Sequence, residues 1–126
     1  MAGVRRFEEF DCWQLSHAFK LEVYEIVKRP PVSRDQAFVA QIREAARSAP
    51  RNIAEGFGRR TDAEFARYLD VARGSLAECQ NHLRDALDCG YITAPEYDQH
   101  LALARRAAAA VAGLQRHLRR RNRQKA

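Results

Sequence analysis

The sequence predicts an all-α protein folded as an up-down-up-down antiparallel four-helix bundle. Three observations predict this class. No stretch of the 126 residues alternates apolar and polar residues between turn signals, as a half-buried strand would. Capping residues, prolines and glycines divide the chain into four segments, each with apolar residues every three or four positions. Because connections of only a few residues join these segments, neighbouring helices must run antiparallel.

The first predicted helix begins at Asp11, a capping residue, and runs to about Arg29. A pair of prolines follows and ends the helix, because proline disfavours helix in the residue before it. Glu22 falls in the middle of the apolar stripe of this helix, so its carboxylate needs a partner there. We expect that partner to be Arg43, at the edge of the stripe of the second helix.

The second predicted helix begins at Ser33 or Asp35, either of which can cap it. It ends near Gly56 and Gly58, which can supply the left-handed conformations common at helix ends. Pro50 lies inside the helical pattern, so we expect a kink about one turn earlier in this helix.

The third and fourth predicted helices each open with the spacing of a capping box. Thr61 and Glu64 have this spacing at the start of the third helix, which ends at Gly90, and Thr93 and Glu96 repeat it for the fourth. The third helix carries a heptad seam of apolar residues. The seam consists of Phe65, Leu69, Ala72, Leu76, Cys79, Leu83 and Ala86.

Gly74 lies in the middle of the third helix, on the face away from this seam. Glycine costs about 1 kcal/mol relative to alanine inside a helix. A costly small residue on an outer face indicates close approach by another backbone, such as that of a second subunit. The alternative is a tolerated surface glycine.

Positive charge is concentrated at the C-terminal end of the chain. The formal net charge is +6, and six of the 22 basic residues lie in the last eleven positions, where no acidic residue occurs. The apolar seam of the fourth predicted helix stops at Leu118, so we expect a bundle over residues 7–118 and a basic, disordered tail over residues 119–126. Such a tail suits an anionic partner, namely RNA or DNA. The alternative is that it is only a solubilising terminus. The basic residues of this end are Arg116, Arg119, Arg120, Arg121, Arg123 and Lys125.

A second basic feature lies on the second predicted helix. Arg43, Arg47 and Arg51 are spaced at i, i+4 and i+8 and therefore share one helix face. Such a ladder can neutralise phosphates. However, Glu44 and Glu55 lie among these arginines, and the alternative is a solvated face of salt bridges.

The sequence contains no recognisable pattern of catalytic or metal-ligating residues. The Glu-x-x-His signature of metal sites in helical bundles is absent at all four histidines. No general base can be assigned to a cysteine or serine nucleophile. The arginine–histidine spacing of some four-helix ribonucleases is also missing. We therefore expect a non-catalytic protein without a metal or a cofactor.

Cysteine usage and hydropathy bear on the compartment. Three cysteines are an odd number and too few for a disulfide framework. The N-terminal segment lacks the apolar stretch of a secretory signal, and the longest run of small apolar residues, 107–114, is far short of a membrane span. We expect a cytoplasmic protein with reduced thiols and no membrane partner.

One segment resembles a known family. Residues 41–59 read QIREAARSAPRNIAEGFGR. This segment is similar to small bacterial four-helix-bundle proteins encoded within intervening sequences of 23S ribosomal RNA genes. Their hallmark is an arginine, two alanines, a serine, a proline and then an Asn-Ile-Ala-Glu-Gly run. The resemblance covers about residues 7–118 and excludes the arginine-rich end. Further matching positions are Trp13, the Val23-Tyr24 pair, residues 65–76 and Gly90-Tyr91-Ile92.

The resemblance implies a homopentameric module that binds RNA or DNA. The accessory protein of diversity-generating retroelements is similar in fold, assembles as a pentameric barrel, and binds nucleic acid and a reverse transcriptase. The resemblance implies that Gly74 and Ser75 are small residues at a subunit interface. It also implies structural roles for Asn52, Glu55 and Gly56 near the kink of the second helix. The alternative function is that of a structural or adaptor protein that binds another protein and no nucleic acid.

Overall fold

Four α-helices make up the bundle in the structure, a computed structural model that describes residues 3–125. Each helix packs against two neighbours in the order α1, α2, α3, α4 and back to α1, whereas within residues 3–125 no Cα atoms of the diagonal pairs lie within 8 Å of each other. No strand occurs within residues 3–125, so the predicted four-helix bundle is confirmed. The helices are α1 (Asp11–Lys28), α2 (Gln36–Phe57), α3 (Asp62–Asp88) and α4 (Ala94–Lys125), with short 3-10 helices at Phe7–Glu9 and Val32–Arg34.

Three helices begin at the caps that the sequence predicts. An Asp35 carboxylate oxygen accepts from the Phe38 amide at 3.2 Å at the start of α2. The Thr61 hydroxyl accepts from the amide of Glu64 at 3.1 Å at the start of α3. α4 has the complete reciprocal box, in which Thr93 and Glu96 satisfy each other's backbone amides. α1 differs, because Phe10 occupies the cap position and no side chain caps this helix.

The core is formed by the apolar faces of all four helices. Every residue of the heptad seam of α3 is buried, from Phe65 to Ala86. α1 contributes Phe19, which is fully buried, and α2 contributes Ile42 and Ile53.

Gln115 occupies the position where the apolar seam of α4 is interrupted, and it is buried against α3. Its amide nitrogen donates to the Ala66 carbonyl at 2.9 Å and to an Asp70 carboxylate oxygen at 2.5 Å. Its amide oxygen accepts from the Arg73 guanidinium at 2.9 Å. The polar side chain is therefore fully provided with partners inside the α3–α4 interface.

The glycines at the end of α2 do not have the predicted left-handed conformation. Gly56 lies inside the helix, and a β-carbon there would lie 2.7 Å from Phe65 Cδ1 and 2.8 Å from Tyr68 Cβ. Gly58 has a right-handed φ of −78°. Gly56 is therefore needed for the close approach of α2 and α3. The left-handed glycine at a helix end is Gly90, with a φ of 76°.

Pro50 does not interrupt α2, which is helical from Gln36 to Phe57. A polar cluster lies nearby, where α2 meets α3. The Asn52 amide donates to the carbonyl of Ser48 at 2.8 Å, and the Ser75 hydroxyl lies 2.7 Å from the Ser48 hydroxyl. Ser75 is buried and faces α2 of its own chain. Its side chain therefore contacts the interior of its own bundle, and the implied role of Ser75 at a subunit interface stays a prediction.

The C-terminal end of α4 also differs from the sequence prediction. Residues 119–125 continue the helix instead of forming a disordered tail, and residue 126 lies outside the described residues. Arg121 donates to both carboxylate oxygens of Asp62 at 2.6 and 2.7 Å. Lys125 lies 3.6 Å from Asp62, and Arg119 lies 3.4 Å from Asp70. Ion pairs to α3 therefore hold the helix beyond the last apolar contact.

The partner of Glu22 is His100 of α4, not Arg43. An oxygen of the Glu22 carboxylate lies 2.5 Å from Nδ1 of His100, which is buried. Arg43 instead lies over the ring of Tyr24. The prediction failed because the middle of the α1 stripe faces α4 at this level, whereas Arg43 lies at the α1–α2 boundary.

Candidate nucleic-acid interface

The arginine ladder of α2 is divided between two sets of partners. Arg51 lies 2.9 Å from a carboxylate oxygen of Glu44 on the same helix. Arg43 and Arg47 form no ion pair with any acid between residues 3 and 125, and both lie over Tyr24 of α1. The salt-bridge interpretation of the ladder therefore applies to Arg51, and the other two arginines keep their charge available.

Tyr24 collects three cations around its ring. The guanidinium carbons of Arg43 and Arg47 lie 5.3 and 5.9 Å from the ring centroid, and Lys20 Nζ lies 5.8 Å from it. Cations within about 6 Å of an aromatic centroid are attracted to the ring face. The Nε of Arg47 also donates to the Tyr24 hydroxyl at 2.9 Å. Lys20 has no acid partner in the described part of the chain, so none of the three positive charges around this ring is paired with a carboxylate.

Sequence reasoning identified the two arginines but missed the residues of α1. Lys20 and Tyr24 are spaced at i and i+4, which places them on one helix face. This spacing is the one local signal that could have identified them. Their approach to α2 depends on packing and could not be read from the sequence.

A groove of about 470 Å³ lies between α1 and α2, beside these cations. Lys20, Tyr24 and Arg47 form part of its lining, and Phe7 and Trp13 add aromatic surface. The groove therefore combines aromatic rings with positive charge.

Trp13 is held at the groove by aromatic contacts with its own segment. Its ring stacks on His17, with centroids 4.6 Å apart and planes inclined by 10°. The ring of Phe7 packs against it in a tilted arrangement, with centroids 5.5 Å apart. Burial, assisted by the charge of Lys20, lowers the pKa of His17 below its ordinary value, so the stacked imidazole is neutral at pH 7.

The six basic residues at the end of α4 separate into a paired and an unpaired set. The three described above contact acids of α3. The other three are exposed and pair with no acid in the part of the chain that the structure describes. Their spacing of i, i+4 and i+7 places them on one helix face. This unpaired set consists of Arg116, Arg120 and Arg123.

These two basic groups come from different helices. The cations around Tyr24 belong to α1 and α2, whereas the unpaired C-terminal arginines belong to α4. In the ladder and at the C-terminal end alike, some of the predicted basic residues pair with acids, and the others have no acid partner among the described residues.

The outer face of α3 at Gly74 is open. Apart from the neighbouring residues and backbone of α3 itself, no described atom lies within 4 Å of the position that a β-carbon would take at Gly74. Ala77 of α3 and Ala108 of α4 lie beside it in a shallow groove. Val71, one turn away on α3, is 51% exposed. No described side chain of the same molecule thus requires glycine at this position.

The thiols inside the bundle are unreactive at neutral pH. Burial raises the pKa of both Cys12 and Cys79 to about 12, so both are protonated. No group of three or more potential metal ligands occurs among residues 3–125. Nor does any helix within this range have the length and apolar character needed to cross a membrane.

Residues 8–113 match the family model for the 23S rRNA-intervening sequence protein. The chain belongs to this family. None of the curated proteins matches the chain. The family match includes Gly74 of α3 and, apart from Phe7, the lining of the groove between α1 and α2, and it ends three residues before Arg116. The basic end of α4 therefore lies outside the family match.

The family segment over residues 41–59 contains both structural and exposed positions. Asn52 and Gly56 make the contacts within α2 and with α3 described above. Glu55 is exposed on the surface of α2.

Proposed function

We propose that this member of the 23S rRNA-intervening sequence protein family is a non-catalytic, homopentameric module that binds RNA or DNA through its basic surface. The observation that carries the proposal is the face of α4 formed by Arg116, Arg120 and Arg123. These side chains are exposed and without acid partners among the described residues, and the ion pairs of α4 with α3 hold the helix that presents them. A helix face of arginines contacts phosphates without reading bases.

The arrangement favours binding that depends strongly on salt. Each neutralised phosphate contributes about −0.7 to −0.9 to the slope of log K against log salt concentration. Three arginine contacts therefore account for a slope of about −2 to −3. An apolar protein–protein contact would show little such dependence.

The experiment is a titration of a labelled, structured RNA at a series of salt concentrations, followed by fluorescence anisotropy. The variant R116Q/R120Q/R123Q should lower the magnitude of the slope by about 2 to 3. These substitutions leave the Asp62 contacts of α4 in place, which truncation after Leu118 would remove. A matched variant, R84Q/R105Q/R106Q, loses the same charge elsewhere and should keep the slope. Equal slopes for both variants and the unmodified protein would contradict the role of this α4 face.

A second candidate function is that of an adaptor for another protein. The exposed Val71 and the open face at Gly74 favour it, because exposed apolar residues beside small ones suit a protein contact. RNA binding that is absent at all salt concentrations, together with an intact oligomer, would favour this second function.

A further inference from the structure

We propose that the groove between α1 and α2 binds one unpaired nucleotide of a single strand, with its phosphate at the Lys20–Arg47 side and its base against Trp13. This inference rests on the proposed nucleic-acid binding and assigns to it a second, separate contact. Apart from Phe7, the residues of this site lie within the family match, whereas the arginine face of α4 lies outside it.

The charge of the groove calls for an anion. Lys20, Arg43 and Arg47 lie around one ring, and none of them has a carboxylate partner among residues 3–125. Glu44 also borders the groove, but its carboxylate is paired with Arg51 and does not neutralise the other three. Like charges gathered at one ring repel each other. A bound phosphate relieves this repulsion and accepts hydrogen bonds from the same groups.

One of these cations, Arg47, is held in position by the protein itself. The hydrogen bond from Arg47 Nε to the Tyr24 hydroxyl orients the guanidinium group, while its terminal nitrogens stay free for a phosphate. Such preorganisation reduces the side-chain entropy lost on binding.

The remaining lining suits a base. Trp13 and Phe7 supply aromatic surface, and Pro50 and Ala54 supply an apolar wall. The groove volume of about 470 Å³ is within the range of about 300–1,000 Å³ common for small-ligand sites. Bases stack on aromatic side chains with little sequence preference, because every base has a π face. A paired base inside a duplex cannot present that face, so the groove selects an unpaired nucleotide.

Trp13 gives a direct readout, since it is the single tryptophan of the chain. We would titrate the protein with a short end-labelled oligouridylate and record both label anisotropy and tryptophan emission. A duplex RNA is titrated in parallel. The single strand should quench Trp13 in a saturable manner that follows the anisotropy, whereas the bound duplex should leave the emission unchanged.

Two variants test the charge of the groove. R47Q should weaken binding of the single strand about tenfold, because a hydrogen bond between charged groups is lost. R105Q removes the same charge from an exposed position of α4 that does not line the groove, and it should change the affinity less than about twofold. Equal effects of R47Q and R105Q on strand affinity would overturn the assignment of the phosphate to this groove.

The outcomes separate this inference from the proposed function. Single strands that bind by anisotropy without quenching Trp13 would overturn the groove and leave nucleic-acid binding intact. Duplex RNA that quenches Trp13 as strongly as the single strand would overturn the selection of an unpaired nucleotide. Absence of binding by either RNA would overturn the proposed function and this inference with it.

Discussion

At the scale of single residues, two polar contacts inside the bundle join neighbouring helices. The Glu22 carboxylate meets His100 between α1 and α4, and the hydroxyl of Ser75 meets that of Ser48 between α2 and α3. In each contact the partners are far apart in the sequence. Their meeting therefore depends on how the helices are rotated against each other.

Replacing Glu22 with alanine should lower the free energy of unfolding by about 1–3 kcal/mol, because the buried imidazole of His100 loses its partner. Urea denaturation of E22A, H100A and the double variant measures the coupling between the two residues. We expect a coupling energy of about 1 kcal/mol or more.

A second double-mutant cycle, which serves as the control, pairs Glu22 with Arg43, the partner that the sequence predicted. E22A and R43A should be additive within about 0.5 kcal/mol, since the two residues share no contact. Coupling of Glu22 to Arg43 and not to His100 would contradict the pairing seen in the structure.

The case of Glu22 shows what a helical wheel can predict. The wheel established that the carboxylate points into the bundle and needs a partner. It gives directions relative to the axis of one helix only. Which neighbouring helix lies in that direction is decided by the packing of the whole bundle, so the choice between Arg43 and His100 could not be made from the sequence.

At the scale of helices, the starts were predictable because caps are local. Asp35, Thr61 and Thr93 each bond an amide three residues onward, so their function is contained in a short stretch of sequence. The role of Gly56 could not be predicted in this way. Its missing side chain matters because residues of α3 lie within 3 Å of the place a β-carbon would take.

The end of α4 gives a prediction about pH. Hydrogen bonds from Arg121 are the main reason that the pKa of Asp62 lies below its ordinary value of 3.8. A carboxyl group with a depressed pKa in the folded state stabilises the fold above its unfolded pKa. This contribution is lost as the pH falls through the folded value. The last turns of α4 should therefore fray below about pH 4. This fraying should be detected as a loss of the helical signal in circular dichroism.

The substitution D62N should produce the same fraying at neutral pH. We expect the free energy of unfolding to fall by about 1–2 kcal/mol, because Arg121 loses a bidentate, charge-assisted partner. Hydrogen exchange of the amides of residues 119–125 should accelerate. E25Q serves as the control, since it removes the carboxylate from an exposed pair with Lys28 and should leave both measurements unchanged. Unchanged exchange in D62N would show that other contacts hold the end of α4.

At the scale of the whole molecule, the bundle presents different chemistry on different sides. The α1–α2 side carries the aromatic, cationic groove, and the outer face of α3 carries Gly74 and the exposed Val71. A cyclic oligomer needs two different surfaces on each subunit, one to fit the other. The α3 face at Gly74 combines small residues and the exposed Val71 with polar neighbours such as Asp70 and Gln80, and such a surface suits one half of this contact.

Replacing Gly74 with leucine should shift the proposed oligomer towards monomer in native mass spectrometry. The chain should still fold, because a β-carbon at this position meets no atom within 4 Å and leucine favours helix more than glycine does. A63L, on an exposed position of the same helix, is the control and should keep the oligomer.

Two results would contradict the subunit contact at Gly74. One is an unmodified protein that remains monomeric across micromolar concentrations. The other is a G74L variant that assembles as fully as A63L. In a monomeric background, G74A should raise the free energy of unfolding by about 1 kcal/mol through helix propensity alone.

The buried amide of Gln115 has a consequence for the uniqueness of the fold. A heptad seam built from similar apolar residues permits α4 to slide along α3 by a repeat, with little change in the area that the two helices bury. Any such slide would carry the Gln115 amide away from the Ala66 carbonyl and the side chains of Asp70 and Arg73. An amide without partners in an apolar interface costs about 1–3 kcal/mol. One glutamine therefore fixes the register of the longest helix and excludes the shifted alternatives.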